Sequence, residues 1–225
     1  MAPADTTRQR LLDAAGPLFA ERGFGATSVR DICTAAAVNQ AAINYHFRDK
    51  EQFYTEAVRH AATSCTARAP IPQWQPGTPP GQKLRDFIVI FLRRLVVDHE
   101  PAWHAQLLMR EMTYPTPACA VFVRESVLPC FEALSAVLAE LLPGMPEEKR
   151  RMCGFSIVGQ CLHYRVARPV MVELAQQVGP GGFPTGDVEA LADHITEFSL
   201  AALERLGGKS NIGHEKAQKD TKKRT

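Results

Sequence analysis

Four neighbouring residues have side chains suited to reading the edges of nucleic-acid bases. Gln40 and Asn44 lie four positions apart, so on a helix over 40–47 they share one face, with Ala41 and Tyr45 beside them. A Gln or Asn amide can pair with adenine through two hydrogen bonds, and an alanine methyl can lie against the methyl of thymine. The spacing therefore predicts a short helix that presents polar groups to DNA.

Further residues around this helix are suited to holding the DNA backbone. Arg30 can reach a guanine or a phosphate, and Thr27, Ser28 and Lys50 stand at predicted helix starts, where backbone N–H groups favour an anion. Tyr45 is a further predicted phosphate contact. Each residue taken alone is more often a helix cap or ordinary surface, so only the joint arrangement is informative.

The first predicted helix has apolar residues at helical spacing from Leu11 onward. Thr6 and Gln9 fit a capping box at its start, and Gly23 ends it. Pro17 removes one backbone hydrogen bond from the interior, so a kink is expected there.

Three more helices follow at short intervals. Ser28 and Asp31 form a capping box for the second, Asn39 caps the third, and Asp49 caps a fourth that runs to about Cys65. A helix, a short turn and a second short helix with an exposed polar face make up a unit that fits the major groove of DNA.

The rest of the chain also has helical periodicity. Residues 66–82 contain five prolines and mark the join between the two parts of the chain. Helices are predicted at 83–98, 101–113, 117–142, 147–168 and 187–206, with a Gly/Pro loop over 179–186. No useful strand pattern is present, so the predicted fold class is all-α.

The predicted organisation is a helix-turn-helix domain over 1–65, a helical domain over 66–206, and a disordered basic tail over 207–225. Residues 1–65 hold seven basic and seven acidic side chains, whereas the tail holds six basic and two acidic ones. Binding to DNA must therefore depend on where particular side chains point, since the first domain has no excess of positive charge.

Several function classes are disfavoured by the sequence. The chain has no apolar run long enough for a membrane span and no secretion signal, so it is expected in the cytoplasm. We find no Gly-rich phosphate loop, metalloprotease motif or nucleophile elbow, so an enzyme is not expected. The six cysteines have no metal-ligand spacing, and no metal or cofactor is expected.

These residues together resemble the DNA-binding domain of TetR-family regulators. The matching words are Thr-Ser-Val-Arg-Asp-Ile at 27–32, Ala-Ala-Val-Asn-Gln at 36–40, Ile-Asn-Tyr-His-Phe at 43–47 and Lys-Glu at 50–51. The resemblance implies an all-helical homodimer whose N-terminal head binds operator DNA and whose last two long helices form the dimer contact. It also implies that Arg30, Gln40, Ala41, Asn44 and Tyr45 contact bases or backbone, and that Thr27 and Lys50 contact phosphates.

A narrower resemblance is to the CecR (YbiH-like) branch of the family, through Met-Arg-Glu-Met at 109–112 and Pro-Thr-Pro-Ala at 115–118. Many members of the wider family have Gly where Ala37 and Ala41 stand, and an aromatic residue where Asn44 stands. The operator sequence therefore cannot be carried over to this chain.

The resemblance further implies that the helical domain binds a small hydrophobic or amphipathic effector. The residues predicted to line the site are Trp103, Met109, Met112, Phe122 and Phe155, with Glu111, His104 or His163 as a polar anchor. Taken without the resemblance, such a set of apolar side chains is more often plain core.

Helices 147–168 and 187–206 are apolar on two sides, which predicts contact with more than the core of their own domain. A four-helix dimer interface is the favoured interpretation, and a thick monomer core is the alternative. Two functional alternatives also stay open, namely a regulator switched by cysteine oxidation and an architectural DNA-binding protein without a ligand.

Overall fold

The computed structural model describes the backbone of residues 3–96, 101–179 and 187–222, and the side chains of residues 7–96, 101–179 and 187–208. Within these ranges the chain folds into helices joined by turns, without a strand. The all-α prediction is therefore confirmed. In the described residues, no helix is long and apolar enough to cross a membrane.

The helices run in the order given by the sequence patterns, with one addition. Those before the proline-rich join are α1 (Pro3–Ala26), α2 (Val29–Ala36), α3 (Gln40–Phe47) and α4 (Lys50–Arg68). Those after it are α5 (Pro80–Val96), α6 (Trp103–Thr113), α7 (Cys119–Phe122), α8 (Leu128–Leu141), α9 (Glu147–Val166), α10 (Arg168–Val178) and α11 (Val188–Lys222). A π-helical turn over Val123–Val127 joins α7 to α8, within the segment predicted as one helix over 117–142.

The chain divides into two compact units that differ from the sequence-based division. The N-terminal unit consists of residues 1–69 and 98–129, and the C-terminal unit consists of residues 70–97 and 130–225. Helices α6 and α7 thus fold with the N-terminal helices, although the sequence pattern assigns them to the second domain. The cause is burial, because Trp103, Leu107 and Phe122 belong to the same apolar cluster as Phe19 and Phe53.

Three predicted helix caps are confirmed. The Ser28 hydroxyl accepts a hydrogen bond from the backbone N–H of Asp31 at 3.1 Å, and the Asp31 carboxylate accepts one from the Ser28 backbone N–H at 3.0 Å. Asn39 accepts from the N–H of Ala42 at the start of α3, and Asp49 accepts from Gln52 at the start of α4.

The prediction for the first helix is wrong at its start. The helix begins at Pro3 rather than after Thr6, and the Gln9 side chain donates to the Asp13 carboxylate one turn further on. Pro17 lies inside the helix, while the backbone leaves helical dihedral angles at Gly23, with φ 82° and ψ 174°. Glycine adopts this conformation without a steric penalty, so the predicted end of the regular helix at Gly23 is confirmed.

Helix α10 falls in a segment for which no helix is predicted. The helix predicted over 147–168 ends at Val166, and a second one starts at Arg168 with Pro169 in its first turn. Proline ends a helix that precedes it but is well tolerated in the first turn of the next, because that turn has no intrahelical N–H bond to lose.

The C-terminal helix is longer than predicted. The backbone of α11 stays helical to Lys222, through most of the tail predicted to be disordered. Extending a helix that is already formed adds one hydrogen bond for each residue that is ordered. The predicted loop over 179–186 lies outside the described residues except for Gly179.

Candidate DNA-binding surface

The predicted reading face of α3 is exposed to solvent. Ile43 and Phe47 are buried on the other side of the helix. The exposed side chains are those of Gln40, Ala41, Asn44 and Tyr45. The helix is therefore anchored by its apolar side, and its polar side is free to meet another molecule.

Aromatic packing holds α3 in place. The Phe47 ring stacks on Phe53 of α4, with centroids 4.0 Å apart and planes inclined by 15°. Phe53 in turn meets the edge of the Phe19 ring of α1 at 5.9 Å. Rings are rigid and bury a large apolar area, so α3 keeps a fixed orientation relative to α1 and α4.

The start of α2 presents a capped turn beside Arg30. The Ser28 hydroxyl donates to the Asp31 carboxylate at 2.6 Å, and this bond is the main reason why the pKa of Asp31 is lowered. Both Ser28 and Arg30 are exposed. Arg30 has room to reach a phosphate or a base edge from this position.

Thr27 is placed differently from the prediction. Its side chain is fully buried, and its hydroxyl donates to the carbonyl oxygens of Gly23 at 2.9 Å and Leu18 at 3.2 Å. The hydroxyl thus closes the irregular end of α1. We therefore assign no phosphate contact to the Thr27 side chain.

Lys50 is half-buried at the first residue of α4. Its ammonium group lies 4.4 Å from the centroid of the Phe24 ring, in a cation–π contact. The contact confines the ammonium to the start of α4, where the helix dipole also favours an anion. The predicted contact between Lys50 and a DNA phosphate requires the ammonium group to lie at this helix start.

Arg48 is exposed and is not among the predicted contacts. It follows Phe47 at the end of α3 and adopts a positive φ of 66°. Its position as a basic residue directly after the predicted helix is the sequence signal that would have marked Arg48 as a further candidate DNA contact. Its unusual backbone conformation could not be read from the sequence.

The turn between α2 and α3 needs a left-handed residue. Ala37 occupies it with φ 51° and ψ 48°, and its N–H donates to the carbonyls of Cys33 and Thr34. The turn between the two helices thus depends on an alanine in a left-handed conformation, which costs a non-glycine residue conformational free energy.

Two family models match the chain, one in each part. Residues 11–57 match the model described as bacterial regulatory proteins of the tetR family. Residues 80–203 match the C-terminal domain of the HTH-type transcriptional dual regulator CecR. The chain belongs to the TetR family of transcriptional regulators. The match to the CecR domain agrees with the narrower resemblance found in the sequence.

Curated relatives match this TetR-family chain over about a quarter of its length. The repressor KstR2 of Rhodococcus jostii (strain RHA1) is 46% identical over 63 residues, which cover 25% of this chain and 31% of the relative. The regulator AcrR of Shigella flexneri is 43% identical over 53 residues, which cover 24% of this chain and 25% of the relative. The matches therefore span about a quarter to a third of these relatives.

Solved structures share the fold over most of the chain. A TetR-like regulator from Rhodococcus sp. RHA1 has a TM-score of 0.57 and 21% identity, covering 91% of this chain and 99% of that one. AibR, solved with isovaleryl coenzyme A and operator DNA, has a TM-score of 0.59 and 18% identity, covering 85% and 97%. These structures therefore share the fold of this chain, and its membership of a family of transcriptional regulators rests on the two family models.

The predicted effector-binding residues of this regulator are not all together. Trp103 and Phe122 are buried in the apolar cluster of the N-terminal unit, Met109 is half-buried and Met112 is exposed. Phe155 lies in the C-terminal unit, is 68% exposed and belongs to neither apolar cluster. It faces solvent because the opposite side of α9, with Ile157 and Cys161, is the side that enters the core. We therefore leave Phe155 out of the candidate pocket.

The three predicted polar anchors have different surroundings. Glu111 is fully buried and accepts hydrogen bonds from Tyr54 and Thr116, so its carboxylate is already engaged. His163 is exposed on α9. His104 is buried beside Trp103, and neither of its ring nitrogens has a hydrogen-bond partner among the described residues.

Four of the six thiols offer little support for a redox switch. Burial raises the pKa of Cys130 and Cys153, and it raises the pKa of Cys161 to about 12. The thiolate is the reactive form, so these three residues react slowly with oxidants at neutral pH. Cys65 is also buried.

Proposed function

We propose that this regulator is a homodimeric repressor that binds a palindromic operator in the cytoplasm and leaves it when a small hydrophobic or amphipathic effector binds. The observation that carries the proposal is the exposed polar face of α3, whose opposite face stacks on Phe53 of α4, which in turn meets the edge of a ring of α1. Such a helix fits the width of the major groove and can pair with base edges there.

Within the proposed complex, Gln40, Asn44 and Arg30 read bases, while Ala41 lies against a thymine methyl. Ser28, Tyr45 and Lys50 hold the DNA backbone. The division follows from chemistry, because paired amide and guanidinium groups distinguish bases, whereas a hydroxyl or an ammonium group binds phosphate without regard to sequence.

Selection of binding sites from random duplexes tests this assignment. The purified parent protein should enrich one palindromic sequence, and Gln40→Ala or Asn44→Ala should relax preference at particular positions, by about 1–3 kcal/mol each. Gln52→Ala is the matched control, since Gln52 is an exposed amide on α4. Identical preferences for the parent and both α3 variants would refute the base-reading assignment.

The homodimer is supported by apolar side chains that the C-terminal unit leaves exposed. On α9, Gly154, Ile157 and Cys161 are buried. The exposed apolar side chains on α9 and α11 are those of Met152, Phe155, Val166, Phe198 and Leu206. Two such helices from each protomer would bury these side chains in a four-helix interface, and the two-fold axis would place the half-sites about 34–36 Å apart or a multiple of that distance.

Phe198→Asp tests the dimer, because it places an unpaired charge in the proposed interface. Sedimentation should detect a dimer for the parent and weaker association for the variant, while Phe198→Leu should stay dimeric. Ile195 is buried in the core, so a charge there would unfold the chain and would not test the interface. A parent protein that sediments as a folded monomer at all concentrations would exclude the homodimer.

The effector site is proposed around Trp103, Met109, Met112 and Phe122, with the unpartnered His104 as its polar anchor. Helix α6 carries the first three and packs against both α1 and α4. A ligand that displaces α6 would move the two helices that hold α3. A neighbour in fold, AibR, was solved with isovaleryl coenzyme A and operator DNA, which favours control by a small molecule here too.

A Trp74→Phe variant leaves Trp103 as the single tryptophan, so its fluorescence reports on this region. Hydrophobic compounds that change the fluorescence should also weaken operator binding, roughly 5- to 150-fold for a typical coupling of about 1–3 kcal/mol. Linkage requires each compound to bind the operator complex more weakly by the same factor. Compounds that bind near Trp103 without changing operator affinity would exclude this site as the switch.

A further inference from the structure

Helix α10 has an apolar face that its own unit leaves uncovered. Val170, Leu174 and Val178 follow at four-residue spacing, which places them on one side of the helix. Val170 is 69% exposed and Val178 is 67% exposed. None of the eleven residues of α10 is buried, although the helix packs against α9.

A helix of this length needs packing to persist in water. Isolated helices shorter than about 12–15 residues are marginal, and most helical stability in proteins comes from burying an apolar face. In the part of the chain that the structure describes, the α10 face defined by Val170, Leu174 and Val178 therefore lacks the cover that would stabilise it. A second surface is required to supply that cover.

The α10 face continues the exposed apolar side of α9. Val166, the last residue of α9, is 65% exposed and precedes Val170 by four positions. Ala167 joins the two helices with φ −84° and ψ −4°, so its backbone stays near the helical region. Its N–H donates to His163 at 2.8 Å, and its carbonyl accepts from Met171 at 2.8 Å. Backbone hydrogen bonds with helical spacing thus continue from α9 through Ala167 into α10.

We propose that α10 is a dimer arm, whose face of Val170, Leu174 and Val178 packs against the second copy of this chain. The inference rests on the proposed homodimer and extends its interface beyond α9 and α11. In a two-fold dimer the same contact forms twice, so each arm covers an equivalent surface on its partner. A membrane surface is a poorer occupant, because Lys-rich and Arg-rich faces are typical of helices that bind anionic lipids, and α10 carries a single basic residue.

The opposite side of α10 offers a matched control. Val172 is also an exposed valine, at 42%, and it lies two residues from both Val170 and Leu174, hence on the far side of the helix. Val172→Asp introduces the same charge into the same helix as Val170→Asp. A general effect of aspartate on helix formation would therefore appear in both variants.

Fluorescence-detected sedimentation of the labelled full chain, diluted to nanomolar concentration, tests the arm. Val170→Asp and Val178→Asp should each raise the dimer dissociation constant at least about tenfold, and Val172→Asp should change it by less than about twofold. Circular dichroism should show the same helix content in all variants at high concentration, because mass action restores the dimer there.

Other results would overturn the inference in distinguishable ways. If the parent is a dimer and Val170→Asp and Val178→Asp leave its dissociation constant unchanged, the arm is wrong and the homodimer stands. The arm is also excluded if Val172→Asp weakens the dimer equally, or if Val170→Asp lowers only the unfolding temperature of the diluted monomer, which would place the cover within the same chain. A parent that is always monomeric would exclude both the homodimer and the arm.

Discussion

The Tyr54 hydroxyl donates a 2.6 Å hydrogen bond to the Glu111 carboxylate inside the N-terminal unit. Glu111 also accepts from the hydroxyl and the backbone N–H of Thr116. Burial is the main cause of the raised pKa of Tyr54, and the bond to Glu111 adds to it. The phenol therefore stays protonated and remains a donor, and it ties α4 to α6.

Loss of this donor should destabilise the protein. Tyr54→Phe keeps the ring in place but leaves the buried carboxylate one partner short, so the free energy of unfolding should fall by about 1–3 kcal/mol. Urea titration followed by circular dichroism measures the change. Tyr114→Phe is the control, because Tyr114 is exposed. Equal stability of the two variants would mean that the buried bond contributes nothing.

The buried His104 should make the protein sensitive to acid. Its side chain is 3% exposed, and burial, followed by the charges of His60 and Arg68, lowers its pKa to about 4. In the unfolded chain the pKa returns to about 6.5. Between these two values the unfolded state binds more protons, so stability falls as pH drops from about 6.5 towards 4, by up to about 3 kcal/mol.

His104→Phe removes the titrating group and its two unpartnered nitrogens while keeping a ring of similar shape. The variant should be at least as stable as the parent at pH 7 and should lose less stability between pH 6.5 and 4. Part of the slope should remain, because the pKa of His60 is also lowered by burial. His46→Phe is the control at a half-buried histidine. If His104→Phe left the dependence of the free energy of unfolding on pH unchanged, protonation of other groups would cause the acid sensitivity.

Local chemistry explains why much of the head could be predicted. Ser28, Asn39 and Asp49 cap their helices through bonds within three residues, and such short-range patterns are visible in a sequence. The exposed face of α3 follows in the same way, from apolar residues at helical spacing on its other side.

The errors concern packing and contacts that form only in the folded chain. The hydroxyl of Thr27 has two carbonyl partners in the end of α1, which only the folded turn brings near. Phe155 is apolar and therefore fits a predicted pocket, but periodicity cannot tell which of two apolar sides of a helix enters the core. The assignment of α6 to the N-terminal unit likewise depends on packing against α1 and α4.

The left-handed Ala37 predicts that a glycine there stabilises the protein. Ala37→Gly removes the clash between the methyl group and the backbone and should raise the free energy of unfolding by roughly 0.5–1 kcal/mol. Ala35→Gly is the matched control within α2, where glycine should instead lower stability by roughly 0.5–1 kcal/mol. Thermal unfolding measures both. A loss of stability in Ala37→Gly would contradict the strain argument.

Gly16 should tolerate no larger residue, because a Cβ atom there would lie 2.4 Å from the Trp103 ring. Gly16→Ala should lower the free energy of unfolding by about 1–3 kcal/mol through overpacking. Trp103 must shift to relieve the overlap, so its fluorescence in a Trp74→Phe background should change as well. Gly25→Ala is the control, since a Cβ there meets nothing within 4 Å. Equal changes in the free energy of unfolding for Gly16→Ala and Gly25→Ala would refute the close approach of Gly16 to the Trp103 ring.

Lys50 should contribute to operator affinity without contributing to sequence preference. Its ammonium is held 4.4 Å from the Phe24 ring at the start of α4, and an ammonium there neutralises one phosphate and releases about one counterion. Lys50→Gln should weaken binding to every duplex alike and should reduce the slope of log affinity against log salt by about one. Fluorescence anisotropy at several salt concentrations measures the slope. Lys83→Gln is the control, because Lys83 lies on α5 in the C-terminal unit and pairs with Glu140. If Lys50→Gln kept the parent's salt slope but changed which duplex is preferred, Lys50 would be a base contact, and the phosphate assignment would be wrong.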